Sequence, residues 1–191
     1  MWLVGVGMAG EARLEDPRRA EAKRWVERTS GVLVSNLVQA LSAGGAAGAL
    51  ESCSVRVPDL MKAAATNSGM GLVRVSHRPR NPANRAGKED LEAIREWEEA
   101  IRGGRPVEPR WTVRPDGTAT LHVPIRIALP TCLKCHGSPG TDIEPRTLER
   151  IRAAYPSDEA TGFRVGGLRG AWRVDLDPVD RARGGSPPAG N

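Results

Sequence analysis

Residues 111–127 read WTVRPDGTATLHVPIRI. The centre, Arg114-Pro115-Asp116-Gly117, is turn chemistry: Pro pre-sets its own φ, Asp bonds the local backbone, and Gly takes a positive φ without steric cost. Beyond it Leu121, Val123, Ile125 and Ile127 alternate with Thr120, His122, Pro124 and Arg126. That is the period of two expected of a half-buried strand. The stretch therefore predicts an antiparallel β-hairpin. Further strands flank it. Gly71 to Ser76 carries Val73 and Val75 on one side, and Trp172, Val174 and Leu176 alternate in the Gly-rich segment 162–176.

The chain before the hairpin is helical in pattern. Asp16-Pro17 pairs an N-cap acid with Pro at the first helical position. From there to Ala43, Trp25, Val26, Leu33, Leu37, Val38 and Leu41 recur at three- and four-residue intervals. Gly44-Gly45 should end or kink this helix. A second helix is expected from about Ala46 to Ala65, with Ala46, Leu50, Cys53, Val57, Leu60, Met61 and Ala64 on its inner face and a kink at Pro58. Lys88 to Ile101 reads as a charged surface helix with a narrow stripe of Leu91, Ile94, Trp97 and Ile101. Pro145 to Ala154 reads as a short helix. Helices first and hairpin-linked strands after make the class α+β, with long N-terminal helices packed on an antiparallel sheet.

The chain has 191 residues, 39% of them hydrophobic and 27% charged, which suits one globular core without disulfides. Residues 16–177 are expected to form a single domain. Residues 1–15 are expected to be a truncated signal or a flexible N-terminus, and 178–191 a Pro/Gly-rich disordered tail. No apolar run reaches the length of a stable membrane span. The net charge is +5, and 24 of the 28 basic residues are Arg. They are dispersed rather than clustered with aromatics, which argues against nucleic-acid binding. No second acid/base pair, nucleophile constellation or phosphate loop accompanies them, so no enzyme activity is expected.

Directly after the hairpin stand Cys132-Leu133-Lys134-Cys135-His136. C-x-x-C-H is the attachment signature of c-type haem. Two thiols three residues apart can add across the haem vinyl groups, and the adjacent His then falls beneath the iron as an axial ligand. Other readings compete. Zinc needs about four protein ligands, so Cys53 and His77 or His122 would have to complete the set. A redox C-x-x-C is expected at a helix N-terminus in a βαβ setting, whereas this pair follows a hairpin. Arg74, Arg80, Asn81 and Asn84 are candidates to hold haem propionates, since guanidinium matches carboxylate bidentately and amides donate. Plain turn chemistry explains Asn81 and Asn84 equally well. His122 alternates with the apolar strand residues and is expected to face solvent. His77 is expected to be exposed in its loop. Met61 and Met70 are weaker candidates for the iron.

Several ordered segments extend this reading. They are Ala49-Leu50-Glu51-Ser52-Cys53, Arg74-Val75-Ser76, Arg80-Asn81-Pro82-Ala83-Asn84, Pro124-Ile125 before the C-x-x-C-H motif, Tyr155-Pro156-Ser157-Asp158-Glu159-Ala160-Thr161-Gly162-Phe163, and Arg169-Gly170-Ala171. In this order they resemble the Tll0287-like (DUF3365) family of c-type haem-binding, PAS-like domains. The resemblance implies a PAS-like fold, covalent haem c with its iron, a pocket between helix and C-x-x-C-H loop, and a role in sensing or redox signalling through a separate protein partner. It also implies an axial pair of His136 and the Cys53 thiolate. A thiolate ligand would favour the ferric state. Haem c is attached outside the cytoplasm, so a periplasmic or otherwise exported location follows, with Met1 to Gly10 as a signal remnant. A small electron-transfer cytochrome and a haem-free zinc module are the alternative expectations.

Overall fold

A computed structural model of the chain describes residues 16–68 and 70–178, the segment 51–68 by its backbone alone. The side chains of Cys53 and Met61, the expected signal remnant and the tail beyond Pro178 lie outside the described residues. The elements run α1 (Pro17–Ser68), β1 (Gly71–Val75), α2 (Lys88–Arg102), β2 (Arg110–Val113), β3 (Ala119–Arg126), α3 (Leu133–His136), α4 (Pro145–Ala154) and β4 (Leu168–Leu176). The four strands form one antiparallel sheet in the order β1-β4-β3-β2. This is the α+β architecture that the sequence predicts, in the PAS-like form that the resemblance implies.

Local chemistry sets the boundaries. Asp16 caps α1 by accepting from the Arg18 N–H at 3.0 Å. Arg18 in turn donates to the carbonyls of Gly117 and Asp177, each at 3.0 Å, pinning the helix start to the hairpin turn. Within that turn Gly117 has φ 82°, and Asp116 Oδ1 accepts from the Thr118 N–H at 2.9 Å. The expected break at Gly44-Gly45 is a kink at Gly45, with φ 62° and ψ −166°. The helical backbone then continues through Pro58 to Ser68 as one element.

Each sheet face meets a different helix. Leu72, Ala119, Leu121, Trp172, Val174 and Leu176 pack on Ala22, Trp25 and Val26 of α1. Met70 packs against this same core. Val75, Leu168 and Ala171 pack on Ala93, Ile94 and Trp97 of α2. Fully burying one such aliphatic side chain contributes about 1.5–3 kcal/mol. By length and composition alone, the Pro17–Leu50 part of α1 is apolar enough to cross a membrane. Both ends of that part are nevertheless packed in this domain: Trp25 against the sheet, and Leu50 against Ile143 and Ile151 near and within α4.

The α2 face corrects the expectation for His122. Its side chain points away from the apolar row, as alternation requires, but it is 2% exposed rather than solvent-facing. α2 covers that face and brings Asp90 to 2.8 Å from His122 Nε2. Arg173 Nη1 reaches the same carboxylate at 3.2 Å. Polar residues on the outward period of β3 are thus buried by a helix that is remote in sequence.

Candidate functional site

The C-x-x-C-H segment is a compact helical turn rather than an open loop. Pro130–Cys132 forms a 3-10 turn that leads into α3, and the Gly137 N–H closes it on Leu133 O at 2.8 Å. Residues three apart on such a turn share one side. That brings the half-buried Cys132 and Cys135 to the same flank. A Cβ on Gly137 would overlap the Asp142 side chain, so only glycine lets residues 138–142 fold back here. Asp142 fastens that return by accepting from the Ser138 N–H at 2.8 Å.

A second segment, 158–163, holds the turn from the other side. The Gly162 N–H donates to Gly137 O at 2.7 Å and the Phe163 N–H to His136 O at 2.8 Å. Cys132 and Leu133 pack against the small core of Ile127, Ala160 and Phe163. Phe163 also meets the rings of His136 and His77 edge-on, both with centroids 6.2 Å away.

His136 has the arrangement of a metal-ligating histidine. Its Nδ1 lies 2.9 Å from the carbonyl oxygen of Ala160. A carbonyl can only accept, so Nδ1 carries the proton and Nε2 keeps a lone pair. Burial, followed by the Arg169 and Arg80 guanidiniums, pushes the imidazole well below its ordinary value. The ring is therefore neutral near pH 7, the form that binds iron.

The surroundings are basic. Arg169 is pushed down to about 9 by burial and by the neighbouring charges of Arg80 and Arg74, with Asp158 acting against them. It donates to Ser76 Oγ at 2.8 Å and to Arg78 O at 3.2 Å. Arg78 and Arg169 lie 4.4 and 5.3 Å from the Phe163 ring centroid. A half-buried group of guanidiniums beside a neutral imidazole fits an anionic ligand whose carboxylates offset the charge.

The sequence-derived candidates divide on this geometry. Arg74 lies in the basic cluster, with its guanidinium 5.8 Å from the Trp172 ring centroid. Arg80 is committed to protein groups: Nε to Asp158 Oδ1 at 3.2 Å, and Nη2 to Cys135 O at 2.6 Å. Asn81 is exposed and caps the turn Pro82–Asn84 by accepting from the Ala83 N–H at 3.0 Å. Asn84 is half-buried, and its backbone accepts from the Ser76 N–H at 2.9 Å. His77 corrects the expectation of exposure: it is half-buried, 3.3 Å from Glu98, and burial lowers its pKa.

Sequence reasoning passed over Arg78 and Arg169 as site residues, and over Asp158 and Ala160 as the supports of Arg80 and His136. The close approach at Gly170 was the available signal for Arg169. A Cβ there would overlap Val75 O, which places the adjacent Arg169 against Ser76.

Fold and site together define an α+β domain in which a C-x-x-C-H turn is locked between a basic strand-and-loop cluster and a returning segment. The chain belongs to the Tll0287-like family, whose model matches residues 11–176. It is similar in fold to a solved structure, the cyanobacterial heme-protein Tll0287. The two share 21% identity with a TM-score of 0.66, covering 86% of this chain and 98% of that one. The search of curated proteins finds no match.

Proposed function

We propose that this protein carries a haem c attached covalently through Cys132 and Cys135, with His136 as an axial ligand, and that it serves as a sensor or redox-signalling domain outside the cytoplasm. The observation that carries the reading is His136 itself: a neutral ring anchored through Nδ1 on Ala160 O, next to two thiols on one helical turn. The solved relative's description as a heme-protein supports it. So does the basic cluster, whose Arg74 and Arg169 would receive the haem propionates. When bound, the haem supplies a redox-active iron. The chain supplies the thiols, orients the imidazole and offsets the propionate charge.

The test is a pyridine haemochrome spectrum of full-length protein made alongside a cytochrome c maturation system. Haem that survives acid-acetone extraction and shows the band position of two thioether links is the expected result. Folded protein without haem would defeat the reading.

Cys53 is proposed as the second axial ligand, from the helical segment that follows Gly45. Cys53→Ala is expected to retain covalent haem while changing the low-spin ferric spectrum. An unchanged Soret band and midpoint potential would reduce Cys53 to a packing residue.

A further inference from the structure

Three hydrogen bonds meet on the backbone of one residue, Ala160, beside His136. Ala160 O accepts from His136 Nδ1 at 2.9 Å and also from Arg80 Nη2 at 3.3 Å. The N–H of the same residue donates to Asp158 Oδ1 at 2.8 Å. Asp158 in turn pairs with Arg80, at 3.2 Å to Nε and 3.3 Å from Oδ2 to Nη2. Both side chains of this pair are almost out of solvent, at 12% and 7% exposure. Arg80 Nη2 also holds Cys135 O at 2.6 Å. One guanidinium thus ties together the second attachment cysteine, the carbonyl that orients the histidine, and the carboxylate that holds the N–H of the same alanine.

Burying such a pair costs desolvation that its own attraction only partly offsets. Hydrophobic residues would hold the segment as well. What they would not do is fix the direction of the Ala160 carbonyl and its electron density, and those set the tautomer and basicity of an imidazole ligand.

We propose that Arg80 and Asp158 are positioning residues that act through the two backbone groups of Ala160 to fix the ring plane and tautomer of His136 and to set the potential of iron held on its Nε2. This rests on the haem reading above. Arg80 shares the carbonyl with Nδ1–H, so it withdraws density that the imidazole would otherwise gain, and its positive charge favours the ferrous state. Asp158 opposes it in charge. The two residues therefore shift the potential in opposite directions.

The experiment is an equilibrium redox titration of the haem-loaded, full-length protein, following the Soret band, for the natural chain, Arg80→Gln, Arg80→Lys and Asp158→Asn. Asn retains an oxygen for the Ala160 N–H and loses only the charge. Arg80→Gln should move the ferric-to-ferrous ratio about tenfold toward ferric at fixed ambient potential, about 59 mV for one electron. Asp158→Asn should move it the other way, and Arg80→Lys should recover part of the charge effect. Haem-loaded variants within twofold of the natural chain, or shifted the same way, overturn the proposal.

Should a variant fail to fold, the natural chain still decides through 15N spectroscopy of His136 in its haem-free form. A proton on Nδ1 in slow exchange with water supports the proposal, and a proton on Nε2 overturns it. A chain that takes up no haem defeats the haem reading and leaves the tautomer result standing, so the two failures are distinguishable.

Discussion

Asp90→Ala is expected to destabilise the fold by about 3 kcal/mol. Asp90 is 2% exposed and serves three partners: His122 Nε2 at 2.8 Å, Arg173 Nη1 at 3.2 Å, and the Gly87 N–H at the start of α2 at 2.9 Å. Removing it strands a buried imidazole whose Nδ1 already has no hydrogen-bond partner. An unsatisfied buried donor costs about 1–3 kcal/mol. Loss of the helix-start contact adds about 0.5–2 kcal/mol. At roughly 2–4 °C per kcal/mol for a chain this long, the melting temperature should fall by about 6–12 °C. Thermal unfolding followed by circular dichroism reads this directly, and a fall under about 2 °C would show that the network does not stabilise the fold.

The same residue gives the pH dependence its sign. Burial alone would raise the Asp90 pKa, but the His122 hydrogen bond, the Gly87 N–H and Arg173 together hold it below its ordinary value of 3.8. A depressed carboxyl contributes stability above its unfolded pKa and loses it as pH falls through the folded value. The gap between the natural chain and Asp90→Asn should therefore be full near pH 7 and shrink below about pH 4. A gap that stayed constant down to pH 2 would contradict that assignment.

Gly170→Ala should be at least as damaging, about 4 kcal/mol or outright failure to fold. Gly170 has φ 155° and sits where β4 approaches the end of β1. An added Cβ would overlap Val75 O and press on Ser76 at 3.2 Å. Backbone cannot yield as a flexible side chain does, so the β1–β4 ladder must open. Strain at such a φ and overpacking each cost about 1–3 kcal/mol. Gly104→Ala is the control. Its φ is 67° but nothing lies within 4 Å of the added carbon. It should cost only the left-handed backbone penalty, about 1–2 kcal/mol. Equal losses in the two variants would show that the Val75 contact is unimportant. The predicted damage reaches the site, because Ser76 Oγ donates to Arg169 O at 2.8 Å and accepts from the Arg169 guanidinium.

Local patterns in the sequence were enough for the strands and the longer helices, but not for the helical form of the C-x-x-C-H turn. Alternation over Leu121 to Ile127 fixed β3, the Pro-Asp-Gly turn fixed the hairpin, and Asp16-Pro17 fixed the start of α1. These signals act over a few residues, where covalent geometry and turn chemistry dominate. The same holds for Cys132, Cys135 and His136, which lie next to one another in the chain. Which residues surround them was another matter. Arg80 matched a carboxylate in type, but its Nε and Nη2 donate to Asp158 and to two carbonyls contributed by residues more than fifty positions away.

By itself, then, the sequence determined the α+β class, the positions of the strands and the longer helices, and the C-x-x-C-H motif, because each is written in residues that interact locally. Only the tertiary structure decided that His122 is buried against Asp90, that Arg169 belongs to the site, and that Ala160 orients His136. A strand's alternation says which residues share a face, not what will cover that face. That depends on α2 crossing over β3 and on the 158–163 segment returning to the motif, contacts between parts of the chain whose meeting no local pattern encodes.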